Sequence, residues 1–117
     1  MWRDDALLLD MLNAATEAVT FAAEMDQPQF RASRLHQYAV MRCLTVVGEA
    51  ASKVSREFRD QHPEIEWQDI VGMRHRLVHN YGAIKLDVVW GAVHTKLPEL
   101  IALLQPLIPP EDDTGST

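Results

Sequence analysis

Residues 73–82 concentrate polar chemistry more densely than any other stretch of this sequence. Imidazoles can take up a ribose 2′-hydroxyl proton near neutral pH, and guanidinium groups can hydrogen-bond to phosphoryl oxygens as charge builds on them. The stretch supplies both groups, followed by an amide and a phenol: Arg74, His75, Arg76, His79, Asn80 and Tyr81. It therefore predicts an Arg/His site for RNA phosphodiester chemistry, with no metal or cofactor required.

Helix geometry limits what this cluster can do within one chain. At 3.6 residues per turn, Arg74 and Tyr81 share one face of a helix, and His75 and His79 share another. Arg74 and His79 are five residues apart and lie well separated around the axis. Their convergence on one target therefore needs the reach of the arginine, a frayed helix end at His79, or a symmetry-related copy across a dimer interface.

Two other interpretations of the cluster were weighed. His75 and His79 have the spacing of two zinc ligands on a helix, but zinc proteases carry Glu after the first His, where Arg76 stands here. No Asp, Glu or Cys lies nearby in the sequence as an obvious third ligand, so a metal site is not predicted. The structural alternative is that these side chains only cap a helix and bond to its neighbours.

The composition predicts one soluble domain. The chain has 117 residues, of which 47% are hydrophobic and 24% charged, as in ordinary globular proteins. No apolar run is expected to span a bilayer, and the acidic N-terminus does not resemble a secretory signal. The single Cys43 is predicted to be a small buried hydrophobe. A cytoplasmic location without membrane contact fits best.

The charge of −6 argues at first against a nucleic-acid partner. However, residues 31–85 hold nine of the eleven lysines and arginines and six of the seventeen acidic residues. A basic middle between acidic ends leaves room for a local phosphate-binding surface. Solvated helix faces would produce the same distribution.

Helical periodicity runs through most of the chain and predicts an all-α fold. A first helix is expected over residues 4–25, and a second from Pro28, capped by Asp26, to Phe58. Gly48 lies inside that second helix, where it permits a kink or a close helix contact. Glu49 follows at the edge of the apolar face, although a plain surface position is the simpler interpretation.

Two further helices are expected after the connector at residues 62–66. One begins near Trp67 and ends near residues 80–82, and the last is capped by Asp87 and kinked by Pro98. The result is an up-and-down antiparallel bundle of four helices, or five if the long one breaks at Gly48. It forms a single domain over residues 1–105, followed by a flexible acidic tail over residues 106–117.

The pattern Arg74-x4-His79-x-Tyr81 resembles the motif of the HepT-like toxins, a family of the HEPN superfamily. His75 fills the polar position after the arginine, where many members have Asn. The similarity extends from Leu7 to Leu104 and includes several flanking blocks: Gly48-Glu49-Ala50, Pro63-x-Ile65-x-Trp67, Gly72-Met73-Arg74, Asp87-Val88-Val89-Trp90 and Leu97-Pro98-x-Leu100.

This resemblance implies a helical homodimer in which the motifs of both subunits face a shared cleft. It implies metal-independent RNA cleavage by the toxin of a type VII toxin–antitoxin pair, with Arg74 and His79 as catalytic residues. The implied partner is an MntA-like nucleotidyltransferase antitoxin, which attaches AMP to Tyr81 and can form a larger hetero-oligomer with the toxin. His75, Asn80 and Glu49 are given supporting roles.

Two alternatives of other classes remain open. One is a non-catalytic module that binds nucleotide and pairs with a nucleotidyltransferase, which the acidic net charge favours. The other is a helical dimerisation domain whose polar cluster only caps a helix. RNA cleavage by purified protein in EDTA separates the first alternative from the enzyme. Loss of stability without loss of activity in Arg74 and His79 variants would indicate the second.

Overall fold

The computed structural model describes residues 2–79 and 85–109, and within these ranges the chain is helical with no strand. The all-α prediction is confirmed. The helices are α1 (Trp2–Ala23), α2 (Gln27–Ala32), α3 (Arg34–Lys53), α4 (Arg56–Gln61), α5 (Trp67–His79), α6 (Leu86–Gly91) and α7 (Leu97–Leu104). A π-helical turn, Ala92–Lys96, joins α6 to α7 without a break, and a 3₁₀ turn, Gln105–Leu107, follows α7.

Helices α1 and α3 form the centre of the fold and run antiparallel. Asp4 at the start of α1 bonds to Ser55 just beyond the end of α3. At the other end, Glu24 lies 3.9 Å from His36 in the first turn of α3. Helix α5 packs along α3, and α7 packs along α1. Buried apolar side chains fill the space between these helices, with the fully buried ones including Leu8, Met11, Phe30, Val40, Val54, Val89 and Leu104.

Helix α1 is more apolar than the sequence analysis allowed. By length and composition alone, Arg3–Ala23 could also cross a membrane, because an 18-residue window within it has a mean hydropathy of 1.3; the expectation that no apolar run is long enough was therefore wrong. In this fold its apolar stripe packs into the core, where Met11, Ala15 and Ala18 are completely buried. The core helix of a globular protein can meet the same length and hydropathy criteria as a membrane span.

The long helix predicted from Pro28 to Phe58 is divided, but not at Gly48. The predicted helix is broken at Ser33, between α2 and α3, and at Val54–Ser55, between α3 and α4, because each serine caps the helix that follows it. The Ser33 hydroxyl accepts a hydrogen bond from the His36 backbone N–H, and the Ser55 hydroxyl accepts one from Phe58. Such bonds satisfy backbone donors that the first turn of a helix leaves unpaired. More helices are therefore observed than the four or five predicted.

The C-terminal helices correct one further prediction. Asp87 does not cap α6, because the N-cap position falls on Lys85 and no side chain caps it. Asp87 lies in the first turn and instead accepts hydrogen bonds from Gln27 and Arg31 of α2. The interruption expected at Pro98 takes the form of the π-helical turn before it. Proline has no N–H to donate and crowds the preceding turn, which a wider turn relieves.

The ends of the predicted domain are described in part. Beyond the expected boundary at residue 105, Leu107 and Ile108 pack half-buried against the core. Residues 110–117, the greater part of the predicted flexible tail, lie outside the described residues. Asp26 caps α2 as predicted, with its side chain bonded to the Gln29 N–H. Cys43 is 6% exposed, so its predicted burial is confirmed.

Asp4 links the start of α1 to Ser55, just beyond the end of α3. Replacing Asp4 by asparagine is expected to destabilise the fold. The Asp4 side chain is buried, and its two carboxylate oxygens accept hydrogen bonds from the Ser55 N–H (2.9 Å) and hydroxyl (2.7 Å). Burial alone would raise the pKa of Asp4, but the two bonds from Ser55, together with nearby positive charge such as Arg3, outweigh it and lower the pKa below its usual value. Loss of charge-assisted bonds at a buried site should lower the free energy of unfolding by about 1–3 kcal/mol.

The pH dependence of this effect follows from the lowered pKa. The contribution of Asp4 is fully present above the carboxyl's unfolded pKa of about 4 and is lost as the pH falls through the lower folded-state value. Urea unfolding of wild type and Asp4→Asn should therefore differ most near neutral pH and converge in acid. The exposed neighbour Asp5 is the matched control. A similar loss in Asp5→Asn would contradict the role given to Ser55.

Candidate active site

Helix α5 carries Arg74, His75, Arg76 and His79 of the polar cluster. The first residue of α5, Trp67, fixes where the helix begins. Trp67 is buried, and its indole N–H donates a 2.9 Å hydrogen bond to the backbone carbonyl of His62. Ile65, in the connector before α5, is also buried. The helix begins at Trp67, as the sequence predicts, and then packs along α3 with Leu77 buried in the core. Its polar side chains therefore project from a helix that is anchored at its start.

Gly48 allows α3 and α5 to approach closely at the level of Arg74. A Cβ atom added to Gly48 would lie 2.1 Å from the Arg74 Cβ and 3.0 Å from the Ile70 carbonyl oxygen. No side chain larger than hydrogen fits there without separation of the two helices. Of the two possibilities that the sequence left open for Gly48, the close contact is confirmed. It fixes the stem of Arg74 against α3.

The Arg74 guanidinium, beyond this contact, has no hydrogen-bond partner among the described residues. Its side chain is 32% exposed, and the nearest carboxylate oxygen, on Glu49, lies 3.9 Å from its Nη2. That distance is too long for a hydrogen bond. Its Nε is buried and has no hydrogen-bond partner among the described residues. Arg74 is thus positioned by packing, and its partly exposed guanidinium makes no hydrogen bond among the described residues that an anion would have to displace.

Glu49 is half-exposed on α3, between the apolar-edge position and the plain surface position that the sequence left open. Its side chain is 47% exposed, while Gly48 and Ala50 on either side are buried. The carboxylate faces Arg74 without a direct hydrogen bond. It can therefore restrain the guanidinium by charge attraction and still release it to a phosphate.

His75 and His79 form a pair of their own on the exposed side of α5. Their ring centroids are 4.5 Å apart, as expected for residues four apart on a helix. Both side chains are exposed. No hydrogen bond or ion pair joins either histidine to Arg74 in the part of the chain that the structure describes. The single helix therefore keeps Arg74 and His79 apart, in agreement with the five-residue spacing.

The remaining predicted site residues can be placed only in part. Asn80 and Tyr81 lie outside the described residues. Within residues 2–79 and 85–109, no group of three or more His, Cys, Asp or Glu side chains could hold a metal ion. Gly48 stands out in the sequence as a glycine inside a helix, but only the packing of α3 on α5 reveals that it faces Arg74.

Comparison with known proteins identifies the family. The model of the family described as "Ribonuclease HepT-like" matches residues 11–107. The chain belongs to the HepT-like family. The resemblance inferred from the motif is confirmed at this level.

Two HepT-like relatives resemble this chain over most of their own length. The Methanocaldococcus jannaschii protein named "Putative RNase MJ0125" is 34% identical over 95 residues, which cover 81% of this chain and 82% of that protein. A Thermococcus cleftensis protein named "Probable ribonuclease HepT" is 33% identical over 95 residues, 78% of this chain and 86% of that protein. A search of the solved structures finds no match.

Proposed function

We propose that this chain is a metal-independent endoribonuclease and the toxin of a type VII toxin–antitoxin pair. The observation that carries the proposal is the state of Arg74, whose stem is fixed by Gly48 and whose guanidinium makes no hydrogen bond among the described residues. Two exposed histidines accompany it on the same helix. The family match and the names of the relatives support ribonuclease activity.

In the proposed reaction, His79 accepts the proton of a ribose 2′-hydroxyl. The 2′-oxygen then attacks the adjacent phosphorus, and the bond to the 5′-oxygen breaks. A 2′,3′-cyclic phosphate and a free 5′-hydroxyl result, and the leaving oxygen takes up a proton from a general acid or water. Arg74 donates hydrogen bonds to the phosphoryl oxygens, on which negative charge increases in the transition state.

A homodimer would bring these two groups together. Arg74 and His79 are five residues apart on α5 and so lie well separated around its axis, which makes it difficult for one helix to present both to a single phosphate. Two copies of α5 facing each other across a twofold axis would form a cleft lined by both motifs. The exposed Val78, with 46% of its surface accessible, lies between them in the sequence and would be covered in such a cleft.

Neutralisation is proposed to act on Tyr81. An MntA-like nucleotidyltransferase would attach AMP to its phenolic oxygen. At seven residues from Arg74, Tyr81 would share its face if the helical path continued. The added phosphate would repel RNA and compete for the guanidinium. His75, Asn80 and Glu49 are proposed to support the site, and the cytoplasm is its proposed location.

Expression without any partner protein tests this function. Wild type should arrest growth of a bacterial host and fragment its total RNA, whereas His79→Ala should do neither, because the proton acceptor is missing. His94→Ala is the matched control. His94 is exposed but stacks on Trp90, with ring centroids 3.8 Å apart, well away from α5 in sequence. This variant should arrest growth like wild type.

Equal growth and intact RNA with folded wild-type protein would overturn the toxin assignment. The intact mass must first show no AMP on Tyr81, since a host transferase could silence the protein. The non-catalytic interaction module would then become the better interpretation.

A further inference from the structure

A groove beside α5 is unexplained by the proposed function. It encloses about 600 Å³ between α5, α3 and the α6–α7 helix. Helix α5 contributes one stripe of side chains to it, namely Asp69, Ile70, Met73 and Arg76. Neither Arg74 nor a histidine lines the groove. Of the described residues of the polar cluster, Arg76 alone lines the groove, which is therefore a surface distinct from Arg74 and the two histidines.

The floor of this groove is apolar. Leu44 and Val47 of α3 lie beneath it, and Leu97, Leu100 and Leu103 form the wall on α7. Val88, on the same wall, is 45% exposed. Gly91 and Ala92 leave room beside the π-helical turn, and a Cβ built on Gly91 meets no atom within 4 Å. Side chains of a visiting helix could occupy that space.

The rim is acidic, and part of its charge is unpaired. Glu64 bonds to His62 at 3.0 Å, and Glu66 lies 3.5 Å from Lys96. Asp69 on α5 and Glu99 on α7 are exposed and have no ion-pair partner within the described ranges. The groove thus has unpaired negative charges on both of its flanking helices. Its lining is acidic overall, because four carboxylates outnumber the two cations Arg76 and Lys96.

We propose that this groove docks an amphipathic helix of a partner protein, with an apolar row flanked by lysines or arginines. Apolar side chains would fill the floor, and cationic side chains would pair with Asp69 and Glu99. An uncharged apolar ligand would use the floor alone and leave both carboxylates unpaired. The charge of the rim thus selects the occupant, and this proposal does not depend on ribonuclease activity.

Gly91 provides a direct test because it lines the groove and a Cβ built on it meets no atom within 4 Å. The probe is a fluorescent amphipathic peptide of leucine and lysine, about four helical turns long. Gly91→Leu should weaken its binding by about tenfold or more, since the added side chain occupies the floor. Gly72→Leu is the matched control. Gly72 is also a helical glycine, lies outside the groove, and has only Arg76 Nη1 at 4.0 Å from a built Cβ. It should bind the peptide like wild type.

A second pair of variants tests the rim. Asp69→Asn with Glu99→Gln should weaken peptide binding about tenfold, because both unpaired carboxylates are lost. Asp10→Asn with Glu17→Gln removes the same charge from exposed sites on α1 and should have little effect. Circular dichroism and thermal unfolding establish that every variant is folded.

Several results would overturn the proposal. Equal weakening by the Asp10/Glu17 variant would indicate general attraction to an acidic protein. Unchanged binding in Gly91→Leu would place the peptide elsewhere. Sedimentation that shows Gly91→Leu alone converting a dimer to monomer would identify the occupant as a second copy of this chain. Displacement of the peptide by an uncharged apolar dye, with no effect of the rim variant, would identify a small-ligand pocket.

Discussion

Replacing Arg74 by alanine is expected to lower the rate of RNA cleavage by about a hundred- to a thousandfold. The guanidinium is the group proposed to stabilise the phosphoryl oxygens as they gain charge. Alanine keeps the Cβ that packs on Gly48, and the lost group makes no hydrogen bond among the described residues. Stability should therefore change by no more than about 1 kcal/mol. Cleavage of a labelled RNA by purified protein in EDTA measures the effect and tests metal independence together.

Arg76→Ala is the matched control for this experiment. Arg76 lies two residues further along α5, is exposed, and lines the groove beside that helix. It should cleave RNA at the wild-type rate. Arg74→Lys should fall between wild type and Arg74→Ala, because lysine keeps the charge but loses the planar fork of donors. Wild-type cleavage by Arg74→Ala would remove the arginine from the mechanism.

Gly48→Ala is expected to be the most destabilising single methyl addition among the glycines that the structure describes. The new Cβ would lie 2.1 Å from the Arg74 Cβ and 3.0 Å from backbone at Ile70, so α3 and α5 must move apart. Overpacking of this kind should lower the free energy of unfolding by about 2–4 kcal/mol. RNA cleavage should fall as well, because the stem of Arg74 is displaced. Urea unfolding and the cleavage assay measure the two effects.

Gly72→Ala distinguishes this clash from a general effect of glycine replacement. A Cβ at Gly72 has nothing nearer than Arg76 Nη1 at 4.0 Å, so alanine there should stabilise α5 by about 0.5–1 kcal/mol. The double variant Gly48→Ala with Arg74→Gly removes the nearest clashing atom. It should recover part of the lost stability and none of the activity. A Gly48→Ala protein as stable as wild type would show that the helices are not held in this contact.

The fold could be predicted where the deciding interaction is local. The start of α5 at Trp67, the Asp26 cap and the interruption at Pro98 each depend on residues within a turn of one another. The breaks at Ser33 and Ser55 were missed because apolar periodicity continues across them and hides the serine caps. Asp87 was misassigned for the opposite reason. Its partners, Gln27 and Arg31, lie 60 and 56 residues away, and no local pattern identifies them.

The candidate site shows the same division. Helical spacing correctly places His75 beside His79, since this relation lies within one helix. That Gly48 faces Arg74 could not be derived from spacing, because it depends on how two helices pack. The groove beside α5 was not anticipated at all. Its floor is assembled from three helices whose apolar positions are indistinguishable in sequence from ordinary core.

The reactivity of Cys43 reports how often the folded protein opens locally. It is the single cysteine of the sequence and lies in the middle of α3, 6% exposed. Burial raises the pKa of its thiol, which further reduces the reactive thiolate. A thiol reagent can therefore modify the folded protein only during transient separation of the central helices. The rate at which the reagent labels Cys43 therefore measures the frequency of those openings, with no mutation or attached probe.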